Sequence, residues 1–133
     1  MRTRSAAILG MFVAMLAACG AGGPKTSHTV IMSDFSYTPS RLLVPAGEAI
    51  TLRISNEGAV VHNFIVMEAG AELGSDFDPA DEAKAYWSLE LQPGASQTAT
   101  FPAPAEPGEY LIVCSTAGHY IAGMTGTLEV VAP

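Results

Sequence analysis

The stretch "PGEYLIVCSTAGHYIAGMTGTLEVV" (107–131) carries two β-strand patterns joined by a loop that holds three different metal-binding side chains. Apolar and β-branched residues stand at both ends of the stretch, as in two neighbouring strands. In the loop between them, Cys114 and His119 are separated by four residues, and so are His119 and Met124. The stretch therefore predicts a strand–loop–strand unit whose loop can hold a metal ion.

Upstream of this stretch, short apolar runs alternate with turn residues. In "EAITLRISN" (48–56), for example, Ile50, Leu52 and Ile54 alternate with polar residues, which is typical of a half-buried strand. The 13 glycines and nine prolines lie largely between such runs. Together with the last two strands, the runs give seven to eight strands and predict an all-β fold, either an antiparallel sandwich or a small barrel. The upstream runs are residues 29–37, 41–44, 48–56, 60–68, 87–91 and 96–101.

One segment, residues 69–87, interrupts this series. It is acidic and has no strand pattern. Asp78 followed by Pro79 is a typical helix start, with Asp78 as the N-cap and Pro79 in the first turn. We therefore predict an insertion that contains one short helix.

The N-terminus is typical of an export signal. Arg2 and Arg4 precede an apolar run at 6–18, which is short for a membrane span. The run ends in "LAAC" (16–19), which resembles the cleavage and lipidation site of a bacterial lipoprotein. An ordinary secretory signal with a small-residue cleavage site is the alternative. We predict a signal peptide at 1–18, a lipidated Cys19 with a flexible tether at 19–28, and one domain at 29–133.

Cysteine content and charge restrict the function further. Cys19 and Cys114 are the only cysteines, so a lipidated Cys19 leaves Cys114 without a disulfide partner in an oxidising compartment. Burial or metal binding would explain its unpaired state. The net charge of −7 argues against nucleic acid and anionic lipid surfaces as partners. We expect a monomer that is held at the membrane by its lipid.

The histidines complete a candidate metal site. His28 belongs to the predicted tether, whereas His62 starts a strand pattern and His119 lies in the loop. Two imidazoles and a thiolate with a weak axial thioether match a mononuclear blue-copper site, whereas zinc prefers a tetrahedral set without a thioether. Taken singly, His62, Cys114 and Met124 could each be ordinary core residues.

The order of motifs resembles that of the cupredoxins, over roughly residues 29–133. The motifs are "PAGEAITLRISNEG" (45–58), "VVHNFIV" (60–66), "LQPG" (91–94) and the stretch at 107–131. The C-x4-H-x4-M spacing is similar to that of the auracyanin and rusticyanin group and longer than the C-x2-H loop of plastocyanin. The resemblance implies a cupredoxin-like Greek-key β-sandwich of seven to eight strands. The segment at 69–87 matches no motif of the family.

The resemblance also implies roles for individual residues. His62, Cys114 and His119 would be the equatorial copper ligands, and Met124 the axial one. Asn63 occupies the position of a polar residue that braces the cysteine loop. Val61 precedes the first histidine, where some members lend a backbone oxygen to the metal.

From these ligands we expect a protein that carries single electrons between redox partners at the extracytoplasmic face of a bacterial membrane. Partners would dock near His119, which is flanked by small or apolar residues: Ala117, Gly118, Tyr120, Ile121 and Ala122. No open ligand position or second metal site is evident, so we do not expect an enzyme, although a small metallo-oxidoreductase is an alternative. A copper-handling protein that stores or delivers the ion in the envelope is another.

Overall fold

The computed structural model describes residues 22–133, and these residues form nine β-strands and one short α-helix. In chain order the elements are β1 (Ser27–Ser33), β2 (Ser36–Thr38), β3 (Arg41–Pro45), β4 (Ala49–Asn56), β5 (His62–Met67), α1 (Pro79–Glu82), β6 (Ala85–Leu91), β7 (Ser96–Pro102), β8 (Gly108–Val113) and β9 (Thr125–Val131).

The strands form two sheets that face each other. One sheet has the order β2-β1-β4-β7 and the other the order β3-β9-β8-β5-β6. The pairs β1–β4 and β3–β9 are parallel, and the other pairs are antiparallel. The parallel pairs arise because the chain crosses from one sheet to the other before β3 and returns before β4. The predicted all-β cupredoxin-like sandwich is confirmed.

A single apolar core joins the sheets because each strand turns alternate residues inward. In β4, Ile50, Leu52 and Ile54 are buried, as their spacing predicts, and they share the core with Leu128 and Val130 of β9. Burial of a side chain of this size contributes about 1.5–3 kcal/mol to folding. The ring of Trp87 stacks on Phe101 across the two sheets, with ring centroids 4.4 Å apart.

The structure has one strand more than the sequence predicts. The run at 29–37 is not one strand, because a two-residue turn at Asp34 and Phe35 divides it into β1 and β2. Phe35 has a φ of 66°, in the left-handed region that side chains rarely adopt. An alternating pattern contains no sign of such a turn when neither turn residue is Gly or Pro.

The sandwich begins before residue 29. Ser27 and His28 already pair with Thr51 and Leu52 of β4, so His28 lies in a strand rather than on a tether. Its ring Nε2 lies 3.0 Å from the carbonyl oxygen of Lys25. The predicted signal peptide and Cys19 lie outside the described residues. Between residues 22 and 133, no helix is long and apolar enough to cross a bilayer.

The insertion contains the predicted helix. Asp78 caps α1, because its carboxylate accepts hydrogen bonds from the backbone N–H groups of Ala80 and Asp81. The Asp81 side chain is buried and pairs with the Lys84 ammonium at 2.9 Å. This hydrogen bond holds the pKa of Asp81 below its usual range. Two of the acidic residues of this segment therefore have structural roles.

A buried amide shapes the loop between β4 and β5. The Nδ2 group of Asn56 donates to the carbonyl oxygens of Val60 and Leu91, at 2.8 and 2.9 Å. Its Oδ1 accepts the N–H of Gly58 at 2.9 Å. Asn56 is 1% exposed, and its contact with Leu91 is buried. One side chain thus fixes the segment that leads into His62.

We expect Asn56→Ala to lower the free energy of unfolding by about 2–3 kcal/mol, because three backbone groups, one of them in a buried contact and two in partly buried contacts, lose their partner. Denaturant titration of the metal-free protein measures the change. Gln92→Ala is the matched control, since it removes an exposed amide from a turn and should change stability little. Equal stabilities of the two variants would contradict the role given to Asn56.

Candidate metal centre

Four side chains of the predicted site meet at one end of the sandwich. His62 begins β5, Cys114 follows β8, and His119 and Met124 lie in the loop that leads to β9. The Cys114 Sγ atom lies 3.9 Å from Nδ1 of His62 and 3.8 Å from Nδ1 of His119. The Met124 Sδ atom lies 3.4 Å from Nδ1 of His119. Two imidazole nitrogens, a thiol and a thioether therefore converge on one small volume.

Strand register explains why the remote histidine reaches the cysteine. Ile65 pairs with Val113, and Val66 with Ile112, between β5 and β8. Two residues share a face when they are an even number apart on a strand, so His62 lies on the same inward face as Val66. By the same rule Cys114 lies on the inward face with Ile112. Both donors thus point into the sandwich at the same end of their strands.

The loop between β8 and β9 is held by its own backbone. The N–H of His119 donates to the carbonyl of Thr116 at 2.9 Å, and the N–H of Met124 donates to the carbonyl of His119 at 2.9 Å. Gly118 and Gly123 adopt φ values of 79° and 95°, which few other residues tolerate. These turns bring the thioether back toward the imidazole of the same loop.

The donors are removed from water. Cys114, His62 and Met124 are fully buried, and His119 is 6% exposed. Burial, together with the neighbouring His62, lowers the pKa of His119, which keeps its imidazole neutral and able to bind a metal. In the described part of the chain, the Cys114 thiol is free and buried.

Asn63 braces the cysteine loop, as the resemblance implied. Its Oδ1 accepts a hydrogen bond from the Ser115 hydroxyl at 2.9 Å, and its backbone N–H donates to Cys114 Sγ at 3.4 Å. The Tyr37 hydroxyl donates to the carbonyl oxygen of Asn63 at 2.6 Å. Burial raises the pKa of Tyr37, so this hydroxyl remains a donor. Asn63, the residue after the first histidine, is thereby tied to β2 and to the cysteine loop.

The Val61 carbonyl oxygen has a protein partner. It accepts a hydrogen bond from the Thr116 hydroxyl at 2.6 Å. This contact ties the segment before His62 to the cysteine loop, next to the contact between Ser115 and Asn63. The family's optional backbone ligand therefore has a structural role here.

Sequence reasoning missed two residues at the turn between β1 and β2. The Asp34 Oδ1 atom lies 3.1 Å from Nε2 of His62. The Phe35 ring packs on His119 with ring centroids 4.7 Å apart. The only signal in the sequence was an acidic and an aromatic residue inside a strand pattern, and nothing in that pattern connects them to His62 or His119.

Near His119 the surface is apolar. Ile121 is 65% exposed, Phe35 is 52% exposed and Val60 is 42% exposed. Ala117 and Ala122 are also exposed, whereas Tyr120 is partly buried and packs on Ile65, Met67 and Val113. We call Phe35 and Ile121, the exposed apolar side chains next to His119, the apolar rim. Ala117, Ile121 and Ala122 thus lie at the surface, as expected, whereas Gly118 and Tyr120 are partly buried.

The donor chemistry selects among metal ions. Calcium and magnesium prefer oxygen donors, which this cluster does not offer. A thiolate and two imidazoles with a thioether suit copper, and a weak axial thioether is diagnostic of blue-copper sites. In the described part of the chain, His62, Cys114 and His119 form a group whose ligand atoms lie within 4.8 Å of one another. The residues present fit one copper ion.

Comparison with known proteins agrees with this reading of the site. The family model described as the cupredoxin-like domain matches residues 6–128. Auracyanin-B of Chloroflexus aurantiacus is 31% identical over 111 residues, which are 71% of this chain and 47% of auracyanin-B. The chain thus spans about half the length of that relative. Auracyanin-A of the same organism is 29% identical, with 86% of this chain and 88% of auracyanin-A covered.

Solved structures give the same result. Reduced auracyanin from Roseiflexus castenholzii superposes with a TM-score of 0.68 at 30% identity, over 82% of this chain and 99% of that chain. Auracyanin A, described as a "blue" copper protein, superposes with a TM-score of 0.62 at 27% identity, over 79% and 99% of the two chains. The cluster and these relatives together indicate a single type 1 copper site.

Proposed function

This chain belongs to the cupredoxin-like family, and from that premise we propose that it carries single electrons through a type 1 copper site whose ligands are Nδ1 of His62, Sγ of Cys114, Nδ1 of His119 and Sδ of Met124. The convergence of both Nδ1 atoms on the Cys114 sulfur, at 3.8 and 3.9 Å, is the observation that carries this proposal. When bound, copper supplies a one-electron couple.

The protein contributes rigidity and exclusion of water. Electron transfer is fast when the donor atoms hardly move between oxidation states. The four donors are buried, and Asn63 and Thr116 tie the strand and the loop together. Hydrogen bonds around a metal site orient its ligands in this way. The same features favour a carrier over an enzyme, since the four donors are buried.

The burial of the methionines favours an electron carrier over a copper-handling protein. Proteins that pass copper on tend to expose methionine or histidine side chains. In the described region, Met32, Met67 and Met124 are each fully buried. The surface formed by residues 22–133 therefore lacks the thioethers from which copper would be handed to another protein.

We further propose that redox partners dock at the apolar rim. His119 is nearly buried, and Phe35 and Ile121 expose apolar surface around it. Exposed apolar patches mark interaction surfaces, and redox encounters need only a small one. The edge of the His119 ring then gives the shortest route between the metal and a partner.

The setting that we propose is the cell envelope, with the chain anchored through lipid on Cys19. The support is sequence alone: a basic start, an apolar run at 6–18 and "LAAC" at 16–19. A lone buried thiol at Cys114 is compatible with an oxidising compartment.

The visible spectrum tests the ligand assignment. We expect Cys114→Ser to abolish the intense thiolate-to-copper band of the oxidised protein and to weaken copper binding, because a hydroxyl is a poor ligand for copper. The control is His28→Ala, which removes a histidine outside the cluster and should leave the band intact. If the wild-type protein shows no such band when loaded with copper, the proposed function is wrong.

Electron self-exchange tests the docking surface without a known partner, since two copies would meet through the same rim. We expect Ile121→Lys to slow self-exchange about tenfold, because like charges face each other when two copies dock. Thr98→Lys is the matched control, with the same net charge and an exposed site on β7. Equal rates in both variants, with unchanged copper spectra, would place the docking surface elsewhere.

Cell fractionation tests the anchor. We expect Cys19→Ala to move the protein from the membrane fraction to the soluble envelope fraction, because the thiol that receives the lipid is gone. The copper spectrum of the variant should match the wild type, since Cys19 is not among the proposed ligands. Continued membrane association of Cys19→Ala would contradict lipid anchoring at this residue.

A further inference from the structure

The turn between β1 and β2 touches both histidines of the copper site. Asp34 contacts the imidazole of His62, and the next residue, Phe35, packs on His119. Neither residue is a metal ligand in the proposed set. Asp34 has the more specific chemistry, because its carboxylate reaches the ring nitrogen that the metal does not use.

The geometry places the two nitrogens of His62 in different surroundings. Nδ1 points toward the Cys114 sulfur, 3.9 Å away, and Nε2 lies 3.1 Å from Asp34 Oδ1. The His62 ring is fully buried, whereas the Asp34 side chain is 43% exposed. The carboxylate is therefore the polar group that meets the buried ring from the solvent side.

This contact has a defined direction of hydrogen bonding. An ionised carboxylate only accepts hydrogen bonds, so Nε2 of His62 must carry the proton. In a neutral imidazole the other nitrogen then has a free lone pair. That nitrogen is Nδ1, which faces Cys114. The contact thus selects the tautomer that can bind copper.

The surrounding loop is built to bring Asp34 close to His62. The same Oδ1 atom accepts the N–H of Ala59 at 3.0 Å, which fixes the carboxylate between the two partners. Gly58 leaves room for the contact: a Cβ atom there would lie 2.3 Å from His62 Nε2 and 2.5 Å from Asp34 Oδ1. Any larger residue at position 58 would force the carboxylate, the imidazole or the loop backbone to move.

We propose that Asp34 is a positioning residue for the copper site, which holds His62 in the Nε2-protonated tautomer and, through its negative charge, favours the oxidised metal. This inference rests on the proposed function for its effect on the metal, but its effect on the tautomer concerns the protein alone. The alternative is a purely structural role, in which Asp34 only holds the loop between β4 and β5 by accepting a hydrogen bond from the Ala59 N–H.

The tautomer is measured on the metal-free protein by long-range proton–nitrogen correlation spectra, at a pH where the imidazole is neutral. We expect His62 to be protonated at Nε2 in the wild type and in Asp34→Asn, whose amide oxygen can still accept. Asp34→Ala should give a mixture of tautomers. A single Nε2-protonated form in Asp34→Ala would overturn the positioning role.

The charge effect is measured by voltammetry of the copper-loaded variants. We expect Asp34→Asn to raise the reduction potential so that the ratio of reduced to oxidised copper at fixed potential grows about tenfold, which is about 59 mV for one electron. The control is Glu57→Gln, which removes an exposed charge from the neighbouring loop between β4 and β5. An equal shift in both variants would overturn the specific charge effect.

Gly58→Ala provides an independent test that keeps Asp34 itself. The added methyl group overlaps with both Oδ1 of Asp34 and Nε2 of His62. We expect it to separate these atoms, so that the His62 tautomers mix as in Asp34→Ala while the fold persists in circular dichroism. Unchanged His62 nitrogen shifts in a folded Gly58→Ala protein would count against the proposal. A failure of the proposed function is recognised separately, because the wild-type protein would then lack the intense visible band.

Discussion

The pairing of β5 with β8 sets the distance between the two halves of the donor cluster. Ile65 lies opposite Val113 and Val66 opposite Ile112, so that the inward faces of the two strands end at His62 and Cys114. A slip of one residue would turn the imidazole away from the thiol, because side chains alternate with a period of two. Beyond the last backbone pair, the side chains of Ser115 and Thr116 continue the connection to Asn63 and Val61.

This arrangement produces a site that is ordered by the protein before any metal is considered. In the described part of the chain, every buried side-chain nitrogen or oxygen atom has a hydrogen-bond partner. The left-handed backbone of Phe35 costs about 1–2 kcal/mol. The fold holds this strained residue in place, and its ring packs on His119. A site held this firmly resists the rearrangement that a change of oxidation state would otherwise bring.

The sequence was sufficient for the features that follow local rules. Alternation marked β4 and β9, the Asp-Pro pair marked α1, and the spacing of Cys114, His119 and Met124 marked the loop. It was not sufficient where distant segments meet. The turn at Asp34 and Phe35 carries no glycine or proline, and its contacts to His62 and His119 exist only once β1 lies beside β4. The start of the sandwich at Ser27 depends on the same pairing.

The distribution of the donors along the chain has a consequence for the folding of the protein. Three of the four proposed ligands lie within 11 residues, between Cys114 and Met124, whereas His62 is 52 residues from Cys114. An unfolded chain already holds the local three donors close together, but it gains His62 only when β5 pairs with β8. Metal that binds the unfolded state offers less stabilisation to the fold. Most of the stabilisation that copper gives to the folded state relative to the unfolded state therefore comes from His62.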